Sequence, residues 1–413
     1  MERSLTIEQK FVFKTQEIAI LSIFFSTILQ AFFGFTRDAP PFFKAIIALL
    51  CWISIYYGGK NLKNIKHIYS KTAYSLVVIL IILTIFSFLY ALILGDVAFG
   101  NKYIVIFTNM YSVLDVASIF FIGLFSKISN LKYLLKYTLY IIPISIIILF
   151  INYKQSIESY FLTYTSIYSL IFIPYISKTK KILIAIGIAL CIFALIGGGR
   201  QAGLLIGFNI LILLMYHLFN KRFIYITSLV IALSPIVLFT YSISHQSIFE
   251  ILKSNTNTSG AIDNTDTRTF LYKEVIEDLQ SQNITTILTG KGALATYYSD
   301  WFDVNSISNN PLAKYRFGVE IPILQWILQC GIIYYLCFSI LIFYSIHNIY
   351  KNGNNKISSI TSLLIAAFYF NCYISNLVGC NIIHLGFWAL LSIANNKKIL
   401  SATERQIQQF FKT

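Results

Sequence analysis

The sequence predicts an all-α polytopic membrane protein, with about twelve transmembrane helices and one large loop outside the membrane. Three observations predict it. The 413-residue chain is 57% hydrophobic and only 12% charged, with a mean hydropathy of +0.70. A soluble domain carries about 25% charged residues. Apolar runs of about 18–25 residues recur, each long enough to cross about 30 Å of hydrocarbon as a helix. Lys and Arg alternate between rich and poor loops, as they do when successive helices reverse direction.

In chain order, the expected spans are 17–35, 42–58, 73–95, 103–125, 132–151, 160–177, 181–197, 202–219 and 223–243. A polar insert follows, then spans 321–346, 357–376 and 378–395. The predicted organisation is thus 1–243 (nine helices), 244–320 (loop), 321–396 (three helices) and 397–413 (tail). Polar residues precede the first run without a cleavable-signal pattern, so that run is expected to be a retained span.

The loops fix the expected direction. Lys60, Lys63, Lys66 and Lys71 follow the second span; Lys127, Lys132 and Lys136 follow the fourth. Lys178, Lys180 and Lys181 come after the sixth, Lys221 and Arg222 after the eighth, Lys351 and Lys356 after the tenth. The opposite set holds only Arg37, Lys44, Lys102, Lys154 and Arg200 outside the insert. Both termini are therefore expected in the cytoplasm and the insert outside. A net charge of +15 explained by loops of this kind is a topology signal, and no nucleic-acid partner is expected. The six cysteines fall in or beside apolar runs without CxxC spacing, which fits buried thiols rather than a metal or disulfide framework.

The insert carries nine of the seventeen acidic residues. Within TDTRTFLYKEVIEDL, the apolar Leu271, Val275 and Leu279 have helical spacing, with Asp266 or Thr267 as the cap. Thr285–Leu288 then leads into Gly290-Lys291-Gly292, a tight turn that lacks nucleotide-loop spacing. No alternation of strands and helices marks a soluble nucleotide-sugar domain.

Arg200 stands in GGGRQAGLL between two spans. Glycine backbone N–H groups, with Gly199 among them, and the following helix start suit an anion there, and an arginine can grip phosphate with two bonds. Interfacial snorkelling is the alternative reading. Arg268, in the first turn of the insert helix, opposes the helix dipole, a placement that a ligand would compensate. Arg316 is a weaker third cation. Glu320, at the membrane entry, is the expected general base or sugar-hydroxyl acceptor. Gln325, Trp326 and Gln329 form a partly polar face that suits either a cavity or an interhelical contact. Asp115 lies mid-span, functional or structural; His384 reads as a packed neutral histidine.

GGGRQAGLL, TRTFLYKEVIEDLQSQNITTILTGKG and EIPILQWILQCGII, in this order and on this frame, resemble the bacterial O-antigen polymerase and ligase superfamily, most closely the polymerases. The resemblance implies a C-type (GT-C-like) glycosyltransferase architecture with a periplasmic loop. It implies transfer of undecaprenyl-diphosphate-linked polysaccharide onto the non-reducing end of a lipid-linked repeat unit, with inversion. Arginines matching Arg200 and Arg268 would hold the diphosphate, Glu320 would act as base, and Gly199, Arg316, Gln325 and Lys291 would line the substrate. No metal or cofactor is expected. Membrane lipid and the lipid-linked oligosaccharide are the expected partners, and the resemblance admits a chain-length regulator protein. Ligases of the superfamily place a histidine where this chain has Glu320-Ile321, which favours the polymerase. A ligase acting on lipid A–core and a polysaccharide flippase or transporter are the alternatives; no matching halves of transporter type are visible.

Overall fold

The computed structural model describes residues 2–33, 40–95, 101–110, 112–151, 168–196, 207–208, 210–212, 214–215, 220–244, 269–299, 315–374 and 379–412. Among these residues the chain is mostly helical. In order come α1 (Glu2–Phe33), α2 (Pro41–Ile68), α3 (Lys71–Ile93), α4 (Lys102–Thr108) and α5 (Val113–Ala117). A 3-10 segment, Ser118–Phe125, precedes α6 (Asn130–Ile151); another, Leu170–Tyr175, precedes α7 (Lys178–Ile196) and α8 (Lys221–Ser244). The insert contributes α9 (Thr269–Gln280), α10 (Ile284–Thr289), β1 (Thr296–Tyr298) and β2 (Tyr315–Phe317). Then follow α11 (Pro322–Asn352), α12 (Lys356–Asn371), α13 (Ile382–Asn395), α14 (Lys397–Ser401) and α15 (Glu404–Lys412).

Local sequence explains the helix starts. Asn101, Asn283, Asn355, Asn381 and Asn396 each accept a bond from the first-turn backbone N–H groups, and Ser70 does so for α3. Pro41 and Pro322 occupy first-turn positions, where the missing N–H costs nothing.

Four segments among the described residues are long and apolar enough to cross a membrane: Pro41–Ile68, Lys71–Ile93, Lys102–Phe125 and Pro322–Asn352. Thr15–Ala31 and Ile382–Asn395 are shorter apolar helices. The outer faces are as apolar as the inner ones. Ile82, Phe86, Leu89 and Ile93 on α3 are 57%, 47%, 47% and 72% exposed. Val230, Leu233 and Val237 on α8 and Leu336 and Ile340 on α11 are likewise open. Such stripes suit hydrocarbon as their solvent. The chain is a mostly helical membrane protein.

Three expectations are corrected. The span expected over 103–125 is not one helix. The hydroxyl of Ser112 donates to Ile106 O at 2.9 Å, competing with the helix ladder, and the chain resumes as α5 and then as a tight 3-10 segment. The last span is also shorter than expected. Ile382–Asn395 covers 14 residues, roughly 21 Å at 1.5 Å per residue, and every residue in it is buried. It is a central column enclosed by other helices. Trp388 Nε1 donates to Ser118 Oγ (3.1 Å) and Ser392 Oγ to Phe125 O (2.9 Å), fixing it against the 3-10 segment. Thirdly, the described part of the span expected at 160–177 is not one α-helix but carries the 3-10 segment Leu170–Tyr175. Residues 160–167, the first part of the span expected at 160–177, and most of the span expected at 202–219 lie outside the described residues.

The helix ends sort into two groups. At one end, Tyr344 bonds Ser70, Lys221 Nζ donates to Gly353 O, Asn354 N to Leu400 O, and Asn355 Nδ2 to Ile399 O. These bonds gather the loops before α3, α8, α12 and α14, four of the connections expected on the basic side. The insert lies towards the opposite ends of α3 and α11.

Candidate active site at the re-entry of the insert

The site is built around a break in α11. Gly331 has φ 81° and ψ 174°, and Gly290, which closes α10, has φ 84° and ψ 172°. Both lie in a region that is essentially restricted to glycine. The two glycines face each other backbone to backbone. A Cβ on Gly331 would stand 2.1 Å from Leu288 O, and one on Gly290 2.4 Å from Gln329 O. The break releases carbonyls from the helix ladder, and the Gly290-Lys291-Gly292 turn takes them up. Lys291 N donates to Leu328 O (2.8 Å), Gly292 N to Gln329 O (3.1 Å), and Ser87 Oγ of α3 also donates to Gln329 O (3.0 Å). Ala293, Leu294 and Ala295 are buried behind the turn. Irregular backbone is tolerated at this depth because protein satisfies it.

From this anchor the chain rises into the ribbon of β1 and β2. Tyr297 pairs with Arg316, and Thr296 with Phe317. This antiparallel ribbon was not expected from the sequence. Lys291 Nζ holds both Asp278 of α9 (2.5 Å) and Thr296 O (3.2 Å). α9 occupies the stretch with helical spacing, and its Leu271, Val275 and Leu279 are buried. The Tyr272 hydroxyl donates to Tyr373 O just beyond α12. The insert is thereby clamped to α3, α11 and the end of α12.

Glu320 follows the ribbon directly. Arg316 Nη2 lies 3.6 Å from its carboxylate, with the two side chains 21% and 41% exposed. A pair this open contributes about 0–1 kcal/mol to stability, so its arrangement matters more for chemistry than for folding. Arg316 Nη1 also donates to the Tyr297 hydroxyl at 3.4 Å. Burial pushes the Tyr297 phenol up to about 12, so it stays a neutral hydroxyl. Gln325 is fully buried, and its Oε1 accepts from Val319 N at 2.5 Å. It shapes the loop under Glu320. Carboxylate, guanidinium and phenol thus converge where the polar insert meets the apolar helices. A carboxylate and a guanidinium are adjacent and both reach solvent.

Of the residues expected to form the site, Lys291, Arg316, Glu320 and Gln325 are brought into this one region. Arg200, Gly199 and Arg268 lie outside the described residues. No group of three or more His, Cys, Asp or Glu among the described residues is placed to hold a metal ion.

No family model, curated protein or solved structure matches this chain. Function has to be inferred from the site itself.

One constellation was only half legible in the sequence. Asp115, fully buried in α5, accepts from Trp326 Nε1 (2.8 Å) and from Gly379 N (3.1 Å), and His384 Nε2 lies 3.6 Å away. It ties the broken fourth segment, α11 and the turn before α13 into one unit. A lone aspartate in an apolar run was the available signal; its partners, 211 and 264 residues away, gave none. Asp115→Ala is expected to orphan two buried donors at about 1–3 kcal/mol each. The check is thermal unfolding of the purified protein in detergent. Asp115→Asn, which keeps an acceptor oxygen, should lose less than the alanine variant. A second chain of hydroxyls runs from Ser339 to Tyr369 (2.7 Å), Tyr373 (2.8 Å) and Tyr335 (3.0 Å), joining α11 to α12.

Proposed function

We propose that this protein is an O-antigen polymerase: an inverting, GT-C-like glycosyltransferase of the bacterial inner membrane, with about twelve spans, cytoplasmic termini and a periplasmic insert. The observation that carries the reading is Glu320. It stands 41% exposed where the insert re-enters the helices, with the Arg316 cation 3.6 Å away.

The reaction assigns each residue a task. The acceptor sugar hydroxyl at the non-reducing end of a lipid-linked repeat gives its proton to the Glu320 carboxylate. Its oxygen bonds to the anomeric carbon of the growing chain from the face opposite the diphosphate. The carbon–oxygen bond to undecaprenyl diphosphate breaks, and its electron pair leaves on the diphosphate. Arg200 and Arg268 stabilise that charge as it develops. Arg316 orients Glu320, and the clamp at Lys291 keeps the ribbon in place beside it.

Glu320→Gln tests this. The amide keeps the shape but cannot take the proton. A loss of about 10²–10⁴-fold in transfer is expected, seen as surface polysaccharide stopped at a single repeat, with normal amounts of the protein in the membrane. A full-length ladder would overturn the reading. Absence of even single-repeat product on lipid A–core would point to the ligase instead.

Broken helices inside a bundle are also a transporter feature, which favours a flippase as second reading. The carbonyls freed at Gly331 are, however, already taken by Lys291, Gly292 and Ser87. Purified protein that moves labelled lipid-linked sugar between leaflets without forming polymer would establish that reading.

A further inference from the structure

At the end of the bundle away from the insert, a cleft of about 450 Å³ opens between the start of α3, the last turns of α11 and the start of α14. Its lining includes Ser70, Lys351, Asn352, Asn354 and Lys397, and no Asp or Glu lines it. Every polar side chain there can donate. Lys351 and Lys397 are exposed cations. Ser70 Oγ already accepts from Tyr344 (2.6 Å) and from Ala73 N (3.1 Å), so its own proton is what it has left to offer. The floor is rigid. Asn352 Nδ2 donates to Asn348 Oδ1 (2.7 Å), and Asn348 Nδ2 donates to Ala394 O (2.8 Å) at the end of α13. Asn354 N donates to Leu400 O (2.9 Å), which fixes the two rims relative to each other.

We propose that this cleft is a binding site for the phosphate headgroup of an anionic phospholipid. Two ammonium groups, amide donors and a hydroxyl in a concave site without a carboxylate suit a phosphate ester. The cleft's position selects lipid over free phosphate. Tyr344 and Asn348 continue the ridge of α11 that carries Leu336 and Ile340, at 50% and 53% exposed. An acyl chain lying along that open ridge would bring its headgroup to the cleft. Basic pockets between span ends on the cytoplasmic side are where anionic lipids bind, and these loops belong to the lysine-rich set. The site is separate from Glu320 and does not depend on the proposed transfer reaction.

Native mass spectrometry of the purified full chain, titrated with phosphatidylglycerol or phosphatidylcholine, tests the proposal. The wild type should retain phosphatidylglycerol about tenfold more tightly. Lys351→Gln combined with Lys397→Gln should bring the two lipids level. Lys66→Gln, an exposed lysine outside the cleft, should leave the preference intact, and so separates the site from general surface charge. Equal retention by the wild type and the double variant would overturn the proposal, as would no preference in the wild type. Inorganic phosphate that strips the bound lipid at millimolar concentration would make this a free-anion site and overturn the lipid assignment.

Discussion

Replacing Gly331 with alanine is expected to cost the folded protein at least about 3 kcal/mol. Two effects add. At φ 81° and ψ 174° a side chain strains the backbone by about 1–3 kcal/mol. The new Cβ would also stand 2.1 Å from Leu288 O, a backbone atom that cannot swing aside. Relief requires α10 to move off α11. The carbonyls of Leu328 and Gln329 would then lose the N–H groups of Lys291 and Gly292 at a depth where water does not replace them. Gly290→Ala should be equally damaging, because its Cβ meets Gln329 O at 2.4 Å. Thermal unfolding in detergent measures both. Gly207→Ala, with open space around a helical position, is the control and should not destabilise the protein. An alanine variant of Gly331 as stable as the wild type would mean that the two glycines do not meet.

The second large effect is expected at Arg200 and Arg268. On the proposed transfer reaction, each alanine variant should lower glycosyl transfer by about 10²–10³-fold, the usual loss when one fixed donor is removed from a developing anion. On a gel this reads as collapse of the long-chain ladder to single repeats while the protein remains in the membrane. Lysine should restore only part of the activity at either position, since an ammonium cannot make the paired bonds of a guanidinium to a phosphate. Normal ladders in both alanine variants would remove these residues from the mechanism. Arg316→Ala should be milder, because its partner Glu320 remains and the pair is half open to solvent.

Much of the architecture is legible in the sequence. Apolar length marked α2, α3, α11 and α12, and the apolar spacing of Leu271, Val275 and Leu279 marked α9, because helix period and membrane thickness are local constraints written into consecutive residues. Helices outran their apolar runs at the basic ends. α2 continues to Ile68, since Ile65 and Ile68 stay buried while Lys63 and Lys66 face out. The candidate site was legible in part: Glu320 and Arg316 were visible as charges beside a span, but they meet because the chain turns at Gly318 (φ 96°) straight after β2.

The amino-acid sequence by itself determined that this is a helical membrane protein and which of its helices are apolar throughout. Only the tertiary structure decided that the insert returns to lock onto α11 through Gly290 and Gly331, that the segment around Asp115 is broken, and that Asp115 meets Trp326 and Gly379. The reason is physical. Period and hydropathy are properties of neighbouring residues, whereas a backbone carbonyl freed in one helix can be satisfied by any N–H that the fold brings to it, however distant along the chain.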